Sequence, residues 1–219
     1  MSLHLQRDLD QLRKDLLQLG SMVEMAFTNA MLVLHEQRLD VVQKVFEDEK
    51  QIDEKEVLIE ESCLKILALH QPVAVDLRFI VVALKVNNDL ERMGDFAVNI
   101  VKRAVTLAKL PALSTPHDFV VKMPEIIRAM INGSLDALVK LDVGLAKKII
   151  EMDDAVDDIN REMYDTLRRQ MENDTQTVER AIEFLSTSRY MERIADLSTN
   201  IAEDVIFLVD GEVVRHQTI

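Results

Sequence analysis

The string Glu91-Arg-Met-Gly-Asp-Phe-Ala-Val-Asn-Ile100 returns later in the chain as Glu192-Arg-Ile-Ala-Asp-Leu-Ser-Thr-Asn-Ile201. Glu, Arg, Asp, Asn and Ile recur at identical spacings, offset by 101 residues. Residues four apart share one face of a helix, so Glu91 and Asp95 form a pair of carboxylates one turn apart, and Glu192 and Asp196 form its copy. A second pair, Glu49 and Asp53, aligns without gaps on Asp153 and Asp157 at an offset of 104. The midpoint between the first two pairs is Pro72, and that between the other two falls within Asn173-Asp-Thr175. In an antiparallel hairpin, residues equally far from the turn lie at equal height. Each half therefore brings four carboxylates to one level.

Converging carboxylates repel unless they are protonated, separated by solvent or neutralised by cations. Divalent metals that accept oxygen ligands suit them: Mg²⁺, Mn²⁺, Ca²⁺, Zn²⁺, or iron in oxygen-rich clusters. Asn99 and Asn200, one turn further on, are candidate carbonyl ligands. The competing reading is a solvated acidic face with Arg92, Arg193 and Lys50 as partners. A single Glu-x-x-x-Asp favours that plainer reading, whereas duplication and shared register put the two on a level. The Glu91/Asp95 stripe continues the line of Leu77 and Leu84 through Asn88, which places it on the flank of a buried face.

The elements that carry these residues are helices. Five Gly and four Pro in 219 residues leave few turns, and the chain has no Trp. This favours few, long helices over strands. The densest break is Leu110-Pro-Ala-Leu-Ser-Thr-Pro-His-Asp118. It separates a first bundle over 1–110, through a linker over 111–118, from a second over 119–219. Helices are expected near 3–37, 40–69, 74–109, 119–140, 142–172 and 176–209. Short connections force sequential helices antiparallel. The predicted fold is all-α, two tandem three-helix bundles related by an internal pseudo-two-fold repeat, with a continuous six-helix arrangement as the alternative.

Other features limit the chemistry. The net charge of −13 opposes binding to nucleic acid and suits cations or basic protein surfaces. Cys63 is the only cysteine and sits in an apolar helical stripe, as a buried structural thiol would. Met22, Met25 and Met31 are expected as core filler. The five histidines have no mutual metal-ligand spacing, and Glu-x-x-His is absent. There is no Gly-rich phosphate loop and no Ser/His/Asp grouping tied by spacing. No signal core opens the chain, and its longest uninterrupted apolar run, Phe79 to Leu84, is far short of a membrane span. A cytoplasmic protein is expected, meeting membranes only through a partner.

Taken as a set, Gln71-Pro-Val-Ala-Val-Asp-Leu-Arg78, Leu90-Glu-Arg-Met-Gly-Asp95, Glu192-Arg-Ile-Ala-Asp196, Thr199-Asn-Ile-Ala-Glu203 and the ending Phe207-Leu-Val-Asp-Gly-Glu-Val-Val-Arg-His216 resemble the PhoU family. These are cytoplasmic accessory regulators of phosphate-specific transport, and the resemblance runs over nearly the whole chain. It implies two three-helix bundles whose E(D)xxxD motifs hold multinuclear metal clusters in some members. Here the motifs fall on Glu49/Asp53, Glu91/Asp95, Asp153/Asp157 and Glu192/Asp196. It implies a non-enzymatic role that couples the ATPase subunit of a phosphate ABC importer to a phosphate-sensing histidine kinase. Members restrain the phosphate-starvation response, and homodimers are common. Leu197 departs from the pattern, since many relatives place His after that Asp. Two other functions compete: a metal-dependent enzyme acting on phosphate compounds, and an accessory protein of a low-affinity phosphate transporter. With no anion-cradling motif and an acidic chain, sensing of phosphate is expected to be indirect.

Overall fold

A computed structural model describes residues 3–211, which fold into six long helices and one short one. These are α1 (Leu3–Glu36), α2 (Val42–His70), α3 (Ala74–Leu107), α4 (His117–Val120), α5 (Lys122–Lys140), α6 (Val143–Asn173) and α7 (Val178–Asp210). The end of the family-like string, from Glu212 to His216, lies outside the described residues.

Local chemistry sets the boundaries. Gln71 takes a left-handed φ of 45° and donates its amide to Leu67 O, which closes α2 before Pro72. Leu141 (φ 53°) and Gly211 (φ 77°) end α5 and α7 in the same manner. Asp142 Oδ1 accepts from the Leu145 amide at 2.9 Å and starts α6. Asp174, in the expected second turn, accepts from the Gln176 amide at 2.9 Å. The single turn of α4 lies inside the stretch expected to be linker and helix start. Buried Phe119 anchors it.

Four helices form a row in the order α2, α3, α7, α6, with α1 and α5 packed behind it. Lys85–Asp204, Phe96–Tyr190 and Arg103–Glu183 pair α3 with α7 in opposite chain directions. The two helices are therefore antiparallel, and a pseudo-two-fold axis passes between them near Arg92 and Arg193. The expected three-helix bundles are both present. They share one hydrophobic core, which runs without a break from Leu5 to Leu208. Behind the row, α1 and α5 come very close: a Cβ on Gly20 would lie 2.1 Å from Leu135 Cδ1, so only glycine admits this approach without repacking.

Two expectations need correction. Met31 is buried and Met22 packs against the core, but Met25 is 56% exposed, because it lies off the buried stripe of α1. Uninterrupted runs also understate α1, whose best 18-residue window is long and apolar enough to cross a membrane by composition, with a mean hydropathy of 1.3. Its leucine stripe is instead packed against α2, α3 and α5. The Glu91/Asp95 stripe lies on the flank of the buried face, as expected: Leu77, Asn88 and Asp95 are exposed, while Leu84 and Glu91 are half-buried. Helix α3 spends its buried faces on α1, α2 and α7.

Candidate functional site

The hairpin register brings each set of acids together. In the first half Glu49 and Asp53 on α2 face Glu91 and Asp95 on α3. Burial, then Asp53 and Asp95, raise the Glu49 carboxyl above its usual range. Burial and Asp95 do the same to Asp53, and burial with Asp95, Asp53 and Glu56 to Glu91. In the second half, burial and then Asp157 raise Asp196, while burial, Asp196 and Asp157 raise Glu192. Asp153 is the extreme case. Burial first, then Asp196, Asp157, Asp154 and Glu192, push it up to about 7. Its Oδ1 is buried and has no hydrogen-bond partner. Burial reinforced by mutual repulsion is thus the common feature of both clusters.

Two further residues belong to this level and were not singled out from the sequence. Glu56 is raised by burial, Glu60 and Asp53, and accepts a hydrogen bond from Asn87 Nδ2 at 3.1 Å. Its repeat counterpart Asn160 accepts from Ser188 Oγ at 2.5 Å and bonds to Glu192. Asn87 and Ser188 are themselves counterparts at offset 101, so each half contains the same polar bridge with different residues. The signal for this bridge is the offset of 104 between the middle helices, which the Glu-x-x-x-Asp pattern does not contain. Neither Asn99 nor Asn200 hydrogen-bonds to a cluster carboxylate among the described residues. Asn200 instead lines a cleft at the α3–α7 seam.

An unpartnered buried carboxylate oxygen and a carboxyl raised by its neighbours are the features of a site that gains from a cation. The donor set is all carboxylate, which suits Mg²⁺, Mn²⁺ or Fe ions and offers Zn²⁺ neither His nor Cys. Among the described residues, no three His, Cys, Asp or Glu side chains stand at metal-ligating geometry. The carboxylates face one another across the hairpins without closing a coordination shell. Changing Asp95→Asn and Asp196→Asn together is expected to lower metal per chain without unfolding the protein, since neither side chain belongs to the hydrophobic core. Elemental analysis before and after EDTA dialysis checks this, and unchanged metal content in the double variant would rule out the assignment.

Other candidate groups are structural. Cys63 is fully buried, and burial together with Glu60 pushes its thiol up to about 12, which leaves it unreactive. His70 Nε2 meets Asp8 Oδ2 at 3.0 Å. Burial holds His35 down to about 4, against the edge of Phe119 at 6.2 Å.

Known proteins match this architecture. The family model described as "PhoU domain" matches twice, over residues 16–104 and 120–205. The phosphate-specific transport system accessory protein PhoU homolog of Aquifex aeolicus is 37% identical over 213 residues, covering 97% of this chain and 96% of that protein. The phosphate-specific transport system accessory protein PhoU of Escherichia coli is 32% identical, covering 95% of this chain and 86% of its own length. The crystal structure of PhoU from Pseudomonas aeruginosa superposes with a TM-score of 0.90 at 33% identity, covering 94% of this chain and 99% of that one. The crystal structure of the phosphate transport system regulatory protein PhoU from Streptococcus pneumoniae gives 0.88 at 25% identity, covering 96% and 99%.

Proposed function

This chain belongs to the PhoU family, and from that premise we propose that it is a cytoplasmic adaptor joining the ATPase subunit of a phosphate ABC importer to a phosphate-sensing histidine kinase. The relatives are named as accessory or regulatory proteins of phosphate transport systems. In the proposed role the protein restrains the phosphate-starvation response when phosphate is plentiful, works as a homodimer, and reaches the membrane only through its partners. Divalent cations neutralise the acidic clusters and fix the docking face.

The observation that carries the adaptor reading is an asymmetry between the repeats. On the α2–α3 hairpin, Leu58, Leu64, Leu69, Val75 and Val81 are exposed, with Leu69 at 65%. Their counterparts on the α6–α7 hairpin are Glu162, Arg168, Asn173, Gln176 and Ile182. Equivalent positions of a duplicated fold do the same structural work, so the fold does not demand the apolar set. Clustered exposed apolar side chains mark contact surfaces. One hairpin with an exposed apolar set and one that is more polar at the same positions suit two different partners.

Co-purification with the importer ATPase and with the kinase tests this reading. Both should be retained by the unaltered protein, and L64E/V81E should lose one of them while keeping the other. Recovery of neither partner would overturn the proposal, and recovery of a low-affinity phosphate transporter instead would favour the other accessory role. The hydrolase alternative is set aside, because the matches are to accessory and regulatory proteins.

A further inference from the structure

The front of the helix row is not uniformly acidic. Between the two carboxylate clusters, on the α3–α7 seam, lies a cleft of about 320 Å³ lined by Arg92, Phe96, Arg193, Asp196, Leu197 and Asn200. Arg92 and Arg193 are the same position in the two repeats. The antiparallel crossing brings them to one cleft from opposite sides of the pseudo-two-fold axis. Arg193 lies over the Phe96 ring at 5.6 Å, and Phe96 stacks on Tyr190 at 5.9 Å. Arg103 in turn bonds to Tyr190. The guanidinium of Arg193 is thus held by an aromatic stack, and among the described residues it makes no ion pair within 4 Å. Among the described residues Arg92 makes one ion pair, a long contact of 3.8 Å to Asp89, and lies near enough to Glu91 to lower its carboxyl. Both guanidiniums keep most of their donor capacity.

We propose that this cleft is a binding site for a small phosphate-type oxyanion. A guanidinium presents parallel N–H donors that fit two oxygens of a tetrahedral anion. Two of them related by a two-fold axis match the two-fold symmetry of the tetrahedron, and Asn200 supplies an amide at the same cleft. Asp196 stands at the rim and opposes the anion, so binding is weak while the acidic clusters carry their full charge. It tightens when a divalent cation neutralises them. The proposal concerns the anion and is independent of which proteins dock.

Titration calorimetry with inorganic phosphate, in the presence and absence of Mg²⁺, tests it on the whole chain. The expected result is one saturable site per chain, displaced by sulfate and tighter with Mg²⁺. R92Q/R193Q is expected to weaken it at least tenfold while leaving the helical circular dichroism spectrum unchanged, since both side chains are exposed. R193K, which keeps the charge and loses the fork, should fall between. Absence of saturable binding in both conditions, or equal affinity in R92Q/R193Q, overturns the proposal. Metal content measured on the same samples shows separately whether the acidic clusters hold cations, so failure of the cation reading is not confused with failure of this one.

Discussion

In the metal-free chain, Asp153→Asn is expected to raise stability at neutral pH and to flatten its dependence on pH. Asp153 titrates near pH 7 in the folded protein, because burial and four neighbouring acids disfavour its charge. In the unfolded chain it returns to the ordinary value of about 3.8. Between those values the folded state holds a proton that the unfolded state has lost. The contribution of Asp153 to stability is then greatest below about pH 4, falls as pH rises toward 7, and stays low above that. The full shift corresponds to about 4 kcal/mol at 1.36 kcal/mol per pH unit. Solvent still reaches the half-buried side chain, and screening reduces the expected effect to about 1–2 kcal/mol. For a chain of this length that is a rise of roughly 2–8 °C in thermal midpoint. Glu49, Asp53, Glu91, Glu192 and Asp196 are shifted in the same direction, so the variant's slope should become shallower and not vanish. Under the proposed cation reading the sign reverses with saturating Mn²⁺: the unaltered chain gains more than the variant does. Thermal melts at pH 5 and 7.5, with and without metal, give all four values. Identical melts for the two proteins in metal-free buffer would show that Asp153 does not feel its neighbours.

The largest loss of stability is expected from Phe119→Ala, about 3–5 kcal/mol. Phe119 is fully buried and carries the single turn of α4. It meets His35 edge-on at 6.2 Å and Phe184 edge-on at 6.2 Å. It thereby ties the end of α1 and the start of the second bundle to α7. Removing the ring leaves a cavity and admits water to His35, so the imidazole should titrate closer to its ordinary 6.5 than to about 4. Denaturant unfolding measures the first effect and NMR titration the second. Metal content should not change, because Phe119 belongs to neither cluster. A loss below 1 kcal/mol with an unmoved His35 would mean that α4 is not a pin.

Much of this was legible in the sequence because the signals were local or symmetric. Pro72 and Asn173-Asp-Thr175 marked the turns, and distance from those turns was enough to place Glu49 and Asp53 opposite Glu91 and Asp95. The repeat then supplied an independent copy of the same inference. Most of what was hidden depended on contacts between halves. Helical periodicity says which side of α3 is apolar, but not that α7 runs antiparallel along it. The meeting of Arg92 with Arg193 and the Phe96–Tyr190 stack were therefore invisible. Met25 was misread because apolar spacing along α1 does not tell which of its faces α5 leaves open. Glu56 and Asn160 escaped because the bridge uses different residue types in the two halves, and a pattern search looks for sameness.

The axis between α3 and α7 has the geometry of a symmetric dimer of half-length chains, here tied into one polypeptide. Dilution cannot part the two halves, because the linker keeps each at high effective concentration for the other. Fusion also changes what mutation can reach. In a true dimer any substitution appears on both sides of the axis at once. In the joined chain one copy can change alone, as Glu56 with Asn87 against Asn160 with Ser188 already shows. A lineage holding such a molecule can turn one acidic cluster, or one hairpin, to a new ligand while the other goes on serving the old one.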